Sequence, residues 1–384
     1  MKTLWLTFAQ AATVALAVLF VLTTLKPEWL PQRALGPQVV ELKEATQASL
    51  ATSRTVSYSD AVRKAAPAVV SIFTSKEIKT PQHPFFNDPL FRRFFGDGPT
   101  DEPQRASGLG SGVIVSNRGY ILTNHHVVEA ADEIEVGLAD GNKLRAKVIG
   151  TDPETDLAVL QVDRNNLPAI TFGQAESVKV GDVVLAIGNP FGVGQTVTMG
   201  IVSALGRSGL QINTYENFIQ TDAAINPGNS GGALTDAAGN LIGVNTAIYS
   251  RTGGSLGIGF AIPVSTAKHV MEQIIETGNV TRGWIGVEAQ EITPELAESF
   301  RLSSTTGALI AGVLKGSPAD RAGVRPGDIL ISIDGRPVTD PTAMLNIVAS
   351  LTPGRSATVK IRREQKEMDL PVEVGKRPAL QRGR

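Results

Sequence analysis

Cysteine is absent from this chain of 384 residues, which excludes disulfides, thiol nucleophiles and cysteine-ligated metal centres. Aromatic residues make up only 5% of it, against 42% hydrophobic residues in all, so the apolar material is mostly aliphatic. The 39 glycines and 22 prolines punctuate that apolar material at short intervals, as β-rich globular structure requires. Net charge is nearly absent: 36 basic against 37 acidic residues leave −1, and a nucleic-acid partner has no electrostatic support. Histidine is scarce, with four in all, His83, His125, His126 and His269. His125-His126 has no matching carboxylate cluster, so the sequence suggests no metal and no cofactor.

Long hydrophobic runs are also lacking, except at the N-terminus. Thr3 to Leu25 is uncharged and rich in Leu, Ala, Val and Phe, and a bilayer crossing takes about 20 such residues. Ala15-Leu16-Ala17 resembles a leader cleavage site, but Val18-Leu19-Phe20-Val21-Leu22 continues the apolar run beyond it. A cleavage site follows an apolar core rather than dividing it. Residues 1–26 are therefore expected to form an uncleaved transmembrane anchor. Lys2 and the terminal amine favour a cytoplasmic N-terminus, with the body of the protein outside the cytoplasm.

Asn226-Pro227-Gly228-Asn229-Ser230-Gly231-Gly232-Ala233-Leu234 is the most informative segment. A serine stands between glycines, after a turn-forming Asn-Pro-Gly and before an apolar strand. Such a loop can present a hydroxyl while its backbone N–H groups converge on one spot, supplying a nucleophile and an oxyanion hole together. A serine nucleophile needs a base. His83 lies in an irregular Pro- and Phe-rich stretch, and His269 sits off the apolar stripe of a helix. That leaves His125-His126, where the strand Tyr120-Ile121-Leu122 ends in a polar turn. An orienting carboxylate is expected at a strand edge. Asp156 stands at the mouth of Leu157-Ala158-Val159-Leu160, and Asp152 and Asp132 compete with it.

Thr123-Asn124-His125-His126-Val127-Val128, then Asp156-Leu157-Ala158-Val159-Leu160, then Gly228-Asn229-Ser230-Gly231-Gly232-Ala233-Leu234 resemble the three catalytic blocks of the HtrA (DegP/DegS) serine proteases, in the chymotrypsin-type order His, Asp, Ser. The resemblance spans roughly residues 57 to 375. It implies His126 as general base, Asp156 as its orienter and Ser230 as nucleophile. The oxyanion hole falls on Gly228-Asn229-Ser230, with the Gly228 and Ser230 N–H groups as donors. His125 stands where the family usually has asparagine. The implied fold is mainly β: a chymotrypsin-like double β-barrel, with His126 and Asp156 on the first barrel and Ser230 on the second.

The punctuation of the chain gives its organisation. Residues 27–56 mix Pro, Gln, Ala, Ser and Thr and read as a tether. Ser59 to Ala65 reads as a short helix and Ala68 to Thr74 as a first strand. The pattern then fails from Lys76 to Ser107, a long loop holding Phe85, Phe86, Phe91, Phe94 and Phe95. Short strands follow at Gly112–Val115, Glu133–Leu138, Val183–Ile187, Leu241–Val244 and Gly259–Ile262. Ser265 to Thr277 carries an apolar stripe at helical spacing, with Gly278 as its stop. The protease domain is expected over 57–278, a second domain over 279–376 and a basic tail over 377–384.

The second domain reads as a small α/β module. Ser317-Pro318 opens one short helix, Asp340-Pro341 opens another with Met344, Ile347, Val348 and Leu351 on one face, and Gly327-Asp328-Ile329-Leu330-Ile331 enters a strand. It resembles a PDZ domain of the HtrA type. The resemblance makes Trp284, Ile285, Gly286 and Val287 the carboxylate-binding loop and edge strand, where a peptide C-terminus adds as a strand.

One PDZ domain behind an N-terminal anchor is similar to the DegS/AlgW type. This implies an inner-membrane, periplasm-facing homotrimer, activated by C-terminal peptides of misfolded outer-membrane proteins and cutting a transmembrane anti-sigma factor. A general periplasmic quality-control protease or chaperone is the alternative, and a non-enzymatic PDZ scaffold is the alternative from another class. The segment before the nucleophile, Ala223-Ala224-Ile225-Asn226-Pro227, carries no acidic residue. Cleavage after a small aliphatic residue is expected rather than after Lys or Arg.

Overall fold

The computed structural model describes residues 2–25, 57–78, 104–129, 131–189, 194–250 and 253–378. The tether, the Phe-rich segment with His83, and the end of the basic tail lie outside them. The chain falls into two units, Met1–Val56 and Ser57–Arg384. The first contains helix α1 (Lys2–Leu25), along which Leu4, Trp5, Phe8, Leu16 and Phe20 are exposed. Among the described residues no helix is long and apolar enough to cross a membrane, the side chains at both ends of α1 and that of Leu19 lying outside the described ones.

The second unit begins with α2 (Ser59–Ala65) and a 3₁₀ turn, then builds a closed barrel. Its strands are β1 (Val69–Ile78), β2 (Gln104–Ile114), β3 (Tyr120–Thr123), β4 (Glu133–Gly137), β5 (Lys143–Asp152) and β6 (Leu157–Val162), in the order β1-β2-β3-β6-β5-β4. In β4 the buried Ile134 and Val136 alternate with outward glutamates, as the two-residue repeat of a strand requires. β6 is apolar at nearly every position because both its faces are covered. A short helix, α3 (His125–Val128), leads out of β3. β1 and β2 are longer than the sequence reading, which put a loop over 76–107: their ribbon runs on to the Ile78–Gln104 pair. The sequence of this extension, Ser75-Lys76-Glu77 against Arg105-Ala106-Ser107, carries no apolar alternation that would announce a strand.

The second barrel comprises β7 (Val183–Gly188), β8 (Thr196–Arg207), β9 (Phe218–Thr221), β10 (Ala233–Asp236), β11 (Leu241–Ile248) and β12 (Gly259–Pro263), in the order β10-β11-β12-β9-β8-β7. Ile187, Ala233 and Leu241 from this barrel pack into the same core as Ile72, Ile114, Ile121 and Leu160 from the first. The seam between the barrels is therefore solid underneath, and a site on its rim has a fixed floor. Helix α4 (Val264–Thr277) buries Val264, Ala267, Val270 and Ile274. Ala267, Val270 and Ile274 pack with Leu157, Val159, Phe218 and Phe260. The larger of these side chains, Val, Leu, Ile and Phe, each contribute about 1.5–3 kcal/mol on full burial. Gly278 ends the helix at φ 78°, its N–H on the Ile274 carbonyl, a left-handed cap that glycine adopts without a Cβ clash.

The remaining strands form a PDZ architecture. β13 (Gly283–Trp284) pairs with the terminal β20 (Gly375–Lys376). β14 (Val287–Gln290), β15 (Ala308–Val313), β16 (Ile329–Ile333), β18 (Ser356–Arg363) and β19 (Lys366–Glu373) make a sheet in that order, with β17 (Arg336–Pro337) on β16. Helices α5 (Pro294–Ser299), α6 (Pro318–Arg321) and α7 (Pro341–Ala349) each have an oxygen cap and proline in the first turn. At α7, Asp340 accepts from the Ala343 N–H at 2.8 Å.

A buried ionic cluster ties this module to the first barrel. Arg282, just before β13, donates to Asp152 Oδ1 at 2.8 Å and to Glu154 at 3.4 Å. Arg377, just after β20, donates to Glu154 at 2.7 Å. Both guanidinium groups lie over the Tyr215 ring, at 4.4 and 5.4 Å from its centroid. Burial works against the Arg282 charge, but Asp152 and Glu154 outweigh it and hold its pKa above the ordinary value.

Candidate active site

The site lies on the rim of the seam between the barrels. β3 ends at Thr123, and Asn124 turns the chain into α3, carrying His126 to the edge of the core with its side chain 47% exposed. Asp156 sits in the β5–β6 turn at φ 60°, in the left-handed region that aspartate tolerates better than most residues. Five hydrogen bonds fix it there. Its carbonyl accepts from Asn124 Nδ2 at 2.9 Å and from the His125 N–H at 3.1 Å. Its Oδ1 accepts from the His126 N–H at 2.9 Å, and its Oδ2 accepts from His126 Nδ1 and Thr246 Oγ1, each at 2.7 Å.

A carboxylate at Nδ1 selects the tautomer with the proton on that nitrogen, so Nε2 is free to accept a proton. Burial acts to raise the Asp156 pKa. The hydrogen bond to and charge of the His126 ring, the His126 N–H and the Thr246 hydroxyl more than offset it, holding the carboxyl below its ordinary 3.8. Of the competing residues, Asp152 is engaged elsewhere: it pairs with Arg282 and accepts the Thr155 hydroxyl. His125 faces Glu129 at 3.8 Å, and His269 contacts Gln273 on α4.

The glycine-flanked loop that carries Ser230 precedes β10. Ser230 Oγ donates to the Thr246 carbonyl at 3.2 Å rather than to the His126 ring. Thr246, on β11, thus touches both partners: its hydroxyl steadies Asp156 and its carbonyl steadies Ser230. Gly228 takes φ 102°, a conformation glycine alone adopts freely. Within the expected oxyanion segment, the Asn229 N–H is already committed to the Asn226 carbonyl at 3.0 Å, while the Gly228 and Ser230 N–H groups have no acceptor among the described residues. Such an arrangement can support acyl transfer: a hydroxyl nucleophile, an oriented imidazole and two amides able to meet a developing oxyanion.

The sequence reading quoted Asn124 only as part of the histidine block and did not find Thr246 or Ser111, whose hydroxyl donates to the Gly228 carbonyl at 2.6 Å. Thr246 had a signal, because Asn245-Thr246 is a buried polar pair inside an otherwise apolar strand. Ser111, buried between Gly110 and Gly112, had only that flanking pattern.

In the PDZ module, β14 is the edge strand of its sheet. Before it, Gly286 stands at φ 78°, and the Ile285 and Gly286 N–H groups have no backbone acceptor among the described residues. The Trp284 ring packs over Gly286 and Gly375, where a Cβ would meet it at 2.9 and 3.3 Å.

Two closed six-stranded barrels with this site on their seam, followed by a PDZ domain, define a chymotrypsin-like serine protease. A trypsin-like peptidase domain model matches residues 110–244, and a PDZ domain model matches 309–363. A probable periplasmic serine endoprotease DegP-like of Hahella chejuensis is 48% identical over 332 residues, covering 84% of this chain and 70% of that protein. One from Pseudomonas fulva is 46% identical over 338 residues, covering 83% and 70%. Among solved structures, the HtrA-type protease AlgW with a decapeptide is similar at TM-score 0.73 and 56% identity, covering 84% of this chain and 99% of that one. A serine endoprotease from Yersinia pestis is similar at TM-score 0.62 and 37% identity, covering 85% and 100%. The chain belongs to the HtrA-type, DegP-like family and is a serine endoprotease.

Proposed function

We propose that the chain is a membrane-anchored periplasmic endoprotease, switched on by peptide C-termini at its PDZ domain. Ser230 is the nucleophile, His126 its general base, Asp156 the orienter of His126, and the Gly228 and Ser230 amides the oxyanion hole. His126 takes the Ser230 proton as Oγ attacks a peptide carbonyl. The proton passes to the leaving amine, and water then hydrolyses the acyl-enzyme. The observation that carries this reading is the His126–Asp156 hydrogen bond at 2.7 Å, on the same strand residue, Thr246, that holds the Ser230 hydroxyl.

The domains in this reading are an anchor over 1–26, a tether over 27–56, the protease over 57–278, the PDZ domain over 279–376 and a basic tail over 377–384. The apolar run Thr3–Leu25 and the helix over it support the anchor. The periplasmic naming of the relatives supports the compartment. The free edge of β14 and the Ile285–Gly286 amides support capture of a C-terminal carboxylate, with Val287 starting the added strand and Trp284 bracing the loop. The AlgW structures with a decapeptide and a tripeptide support peptide binding in this family. The activating ligands are C-termini of misfolded outer-membrane proteins, the substrate is a transmembrane anti-sigma factor, and the assembly is a homotrimer. Cleavage follows small aliphatic residues: Ile225 is buried, its side chain filling the space beside Gly259, and it brings no charge to meet Lys or Arg.

The test is peptide-bond cleavage by the chain and by Ser230→Ala, with and without peptides ending in a hydrophobic residue. Weak cleavage that rises with peptide and vanishes in the variant supports the proposal. Strong cleavage indifferent to peptide favours general quality control, which the DegP-like naming of the relatives also suggests. No cleavage under any condition overturns both.

A further inference from the structure

The nucleophile loop is held by a residue of the opposite barrel. Ser111 lies on β2, on the first barrel, and is fully buried. Its N–H donates to the Ser230 carbonyl at 2.8 Å, and its hydroxyl donates to the Gly228 carbonyl at 2.6 Å. The direction of that hydroxyl is not free. Oγ accepts the Asn189 N–H at 2.9 Å, so its single proton is turned away from Asn189 and onto Gly228. Asn189 is itself anchored, with Nδ2 on Ser71 Oγ at 2.7 Å and Oδ1 accepting the Gly194 N–H at 2.9 Å.

The peptide planes of the loop can be followed one by one. Between Gly228 and Asn229, the carbonyl is held by Ser111 Oγ and the N–H by the Asn226 carbonyl. In the next plane, the Asn229 carbonyl accepts the Gly232 N–H at 2.9 Å, which leaves the Ser230 N–H pointing outward. In the third, the Ser230 carbonyl is held by the Ser111 N–H, and the Gly231 N–H donates to the Asn245 carbonyl at 2.8 Å. Only the Pro227–Gly228 plane has no hydrogen bond at either end among the described residues. That plane carries the Gly228 N–H. Glycine can rotate it through either sign of φ at little cost, so its direction depends on how firmly the following plane is fixed, and Ser111 Oγ is one of the two groups that fix it.

We infer that Ser111 is a positioning residue for the oxyanion hole: its hydroxyl, supplied by the barrel that carries His126, sets the Gly228 peptide so that the Gly228 N–H faces the reacting carbonyl. This rests on the assignment of Ser230 as nucleophile and Gly228 as oxyanion donor. Ser111→Ala removes the hydroxyl and keeps the backbone N–H on Ser230. Loss of an oxyanion donor costs about 10²–10³ in rate, and disordering one is expected to cost about 10–100-fold.

The experiment measures kcat and KM of the full chain on a fluorogenic peptide with Val before the scissile bond, for the parent, Ser111→Ala, Ser111→Cys and Ser230→Ala. It also measures inhibition by a peptide boronate, whose tetrahedral adduct uses the oxyanion hole, and by the matching uncharged peptide amide, which forms no adduct. In Ser111→Ala, kcat and boronate affinity should fall together by about 10–100-fold. KM, amide affinity and the pH profile should be unchanged, because His126 and Asp156 are untouched. Ser111→Cys, a weaker donor, should lie between and keeps the test open where the alanine variant does not fold. Parent-like kcat in both variants, or equal losses of boronate and amide binding, would overturn the inference. Retained activity in Ser230→Ala would instead overturn the assignment on which it rests.

Discussion

Asp156 Oδ2 accepts from His126 Nδ1 and from Thr246 Oγ1 at the same distance, 2.7 Å. One carboxylate oxygen is thereby shared between the imidazole it orients, on the first barrel, and a strand of the second barrel that also holds Ser230. The two barrels meet chemically at this atom.

Replacing Asp156 by Asn should leave the geometry and reverse the tautomer. The amide can donate to Nδ1, placing the imidazole proton on Nε2, where it cannot accept one from Ser230. A fall in kcat of about 10⁴ with little change in KM is expected, measured on a peptide substrate at neutral pH.

The lowered pKa of Asp156 makes stability depend on acid pH. A carboxyl whose folded pKa lies below its unfolded value binds protons more readily when unfolded. Its contribution is therefore present above 3.8 and is lost as pH falls through the lower folded value. Denaturant unfolding between pH 5 and 2 should show this acid loss in the parent and less of it in Asp156→Asn. Thr246→Val removes one hydrogen bond to the charged form and should move the acid transition to higher pH.

Arg282→Ala should destabilise the fold by about 3–5 kcal/mol, since it leaves Asp152 buried without its partner. The double variant Arg282→Met with Asp152→Asn removes both charges and should recover part of that loss. Urea unfolding curves of the three proteins decide this. Equal instability of the single and double variants would show that packing, not the unpaired charge, dominates.

Tyr215 gives the opposite pH signature. Burial is the main cause raising its pKa, with Glu154 and Asp152 raising it further and Arg377 and Arg282 opposing, and the result is about 12 against the ordinary 10.0. The folded state therefore keeps the phenol neutral where the unfolded chain would ionise it. Its contribution is complete below pH 10 and is lost as pH rises towards 12. Tyr215→Phe should flatten the alkaline decline in melting temperature over that window.

Much of the candidate site was legible along the chain because each of its three blocks is local. Asn-Pro-Gly before Ser230 dictates a turn, Asn124 and the histidines close an apolar strand, and Asp156 opens another. The capped helices of the PDZ module were legible for the same reason: proline and an oxygen-bearing cap act within one turn. The extension of β1 and β2 was not, because a ribbon of Ser, Glu, Arg and Gln is held by cross-strand backbone bonds that leave no apolar pattern.

The sequence by itself determined the serine-protease class and the double-barrel-plus-PDZ architecture. Only the tertiary structure decided which groups hold His126, Asp156 and Ser230 in place. Thr246 lies 90 positions from Asp156 and Ser111 lies 117 from Gly228, and neither separation follows from any helical or strand period. Barrel closure brings them together. A buried hydroxyl then has to find a partner wherever the fold leaves one, and here the partners are the Asp156 carboxylate and the Gly228 carbonyl.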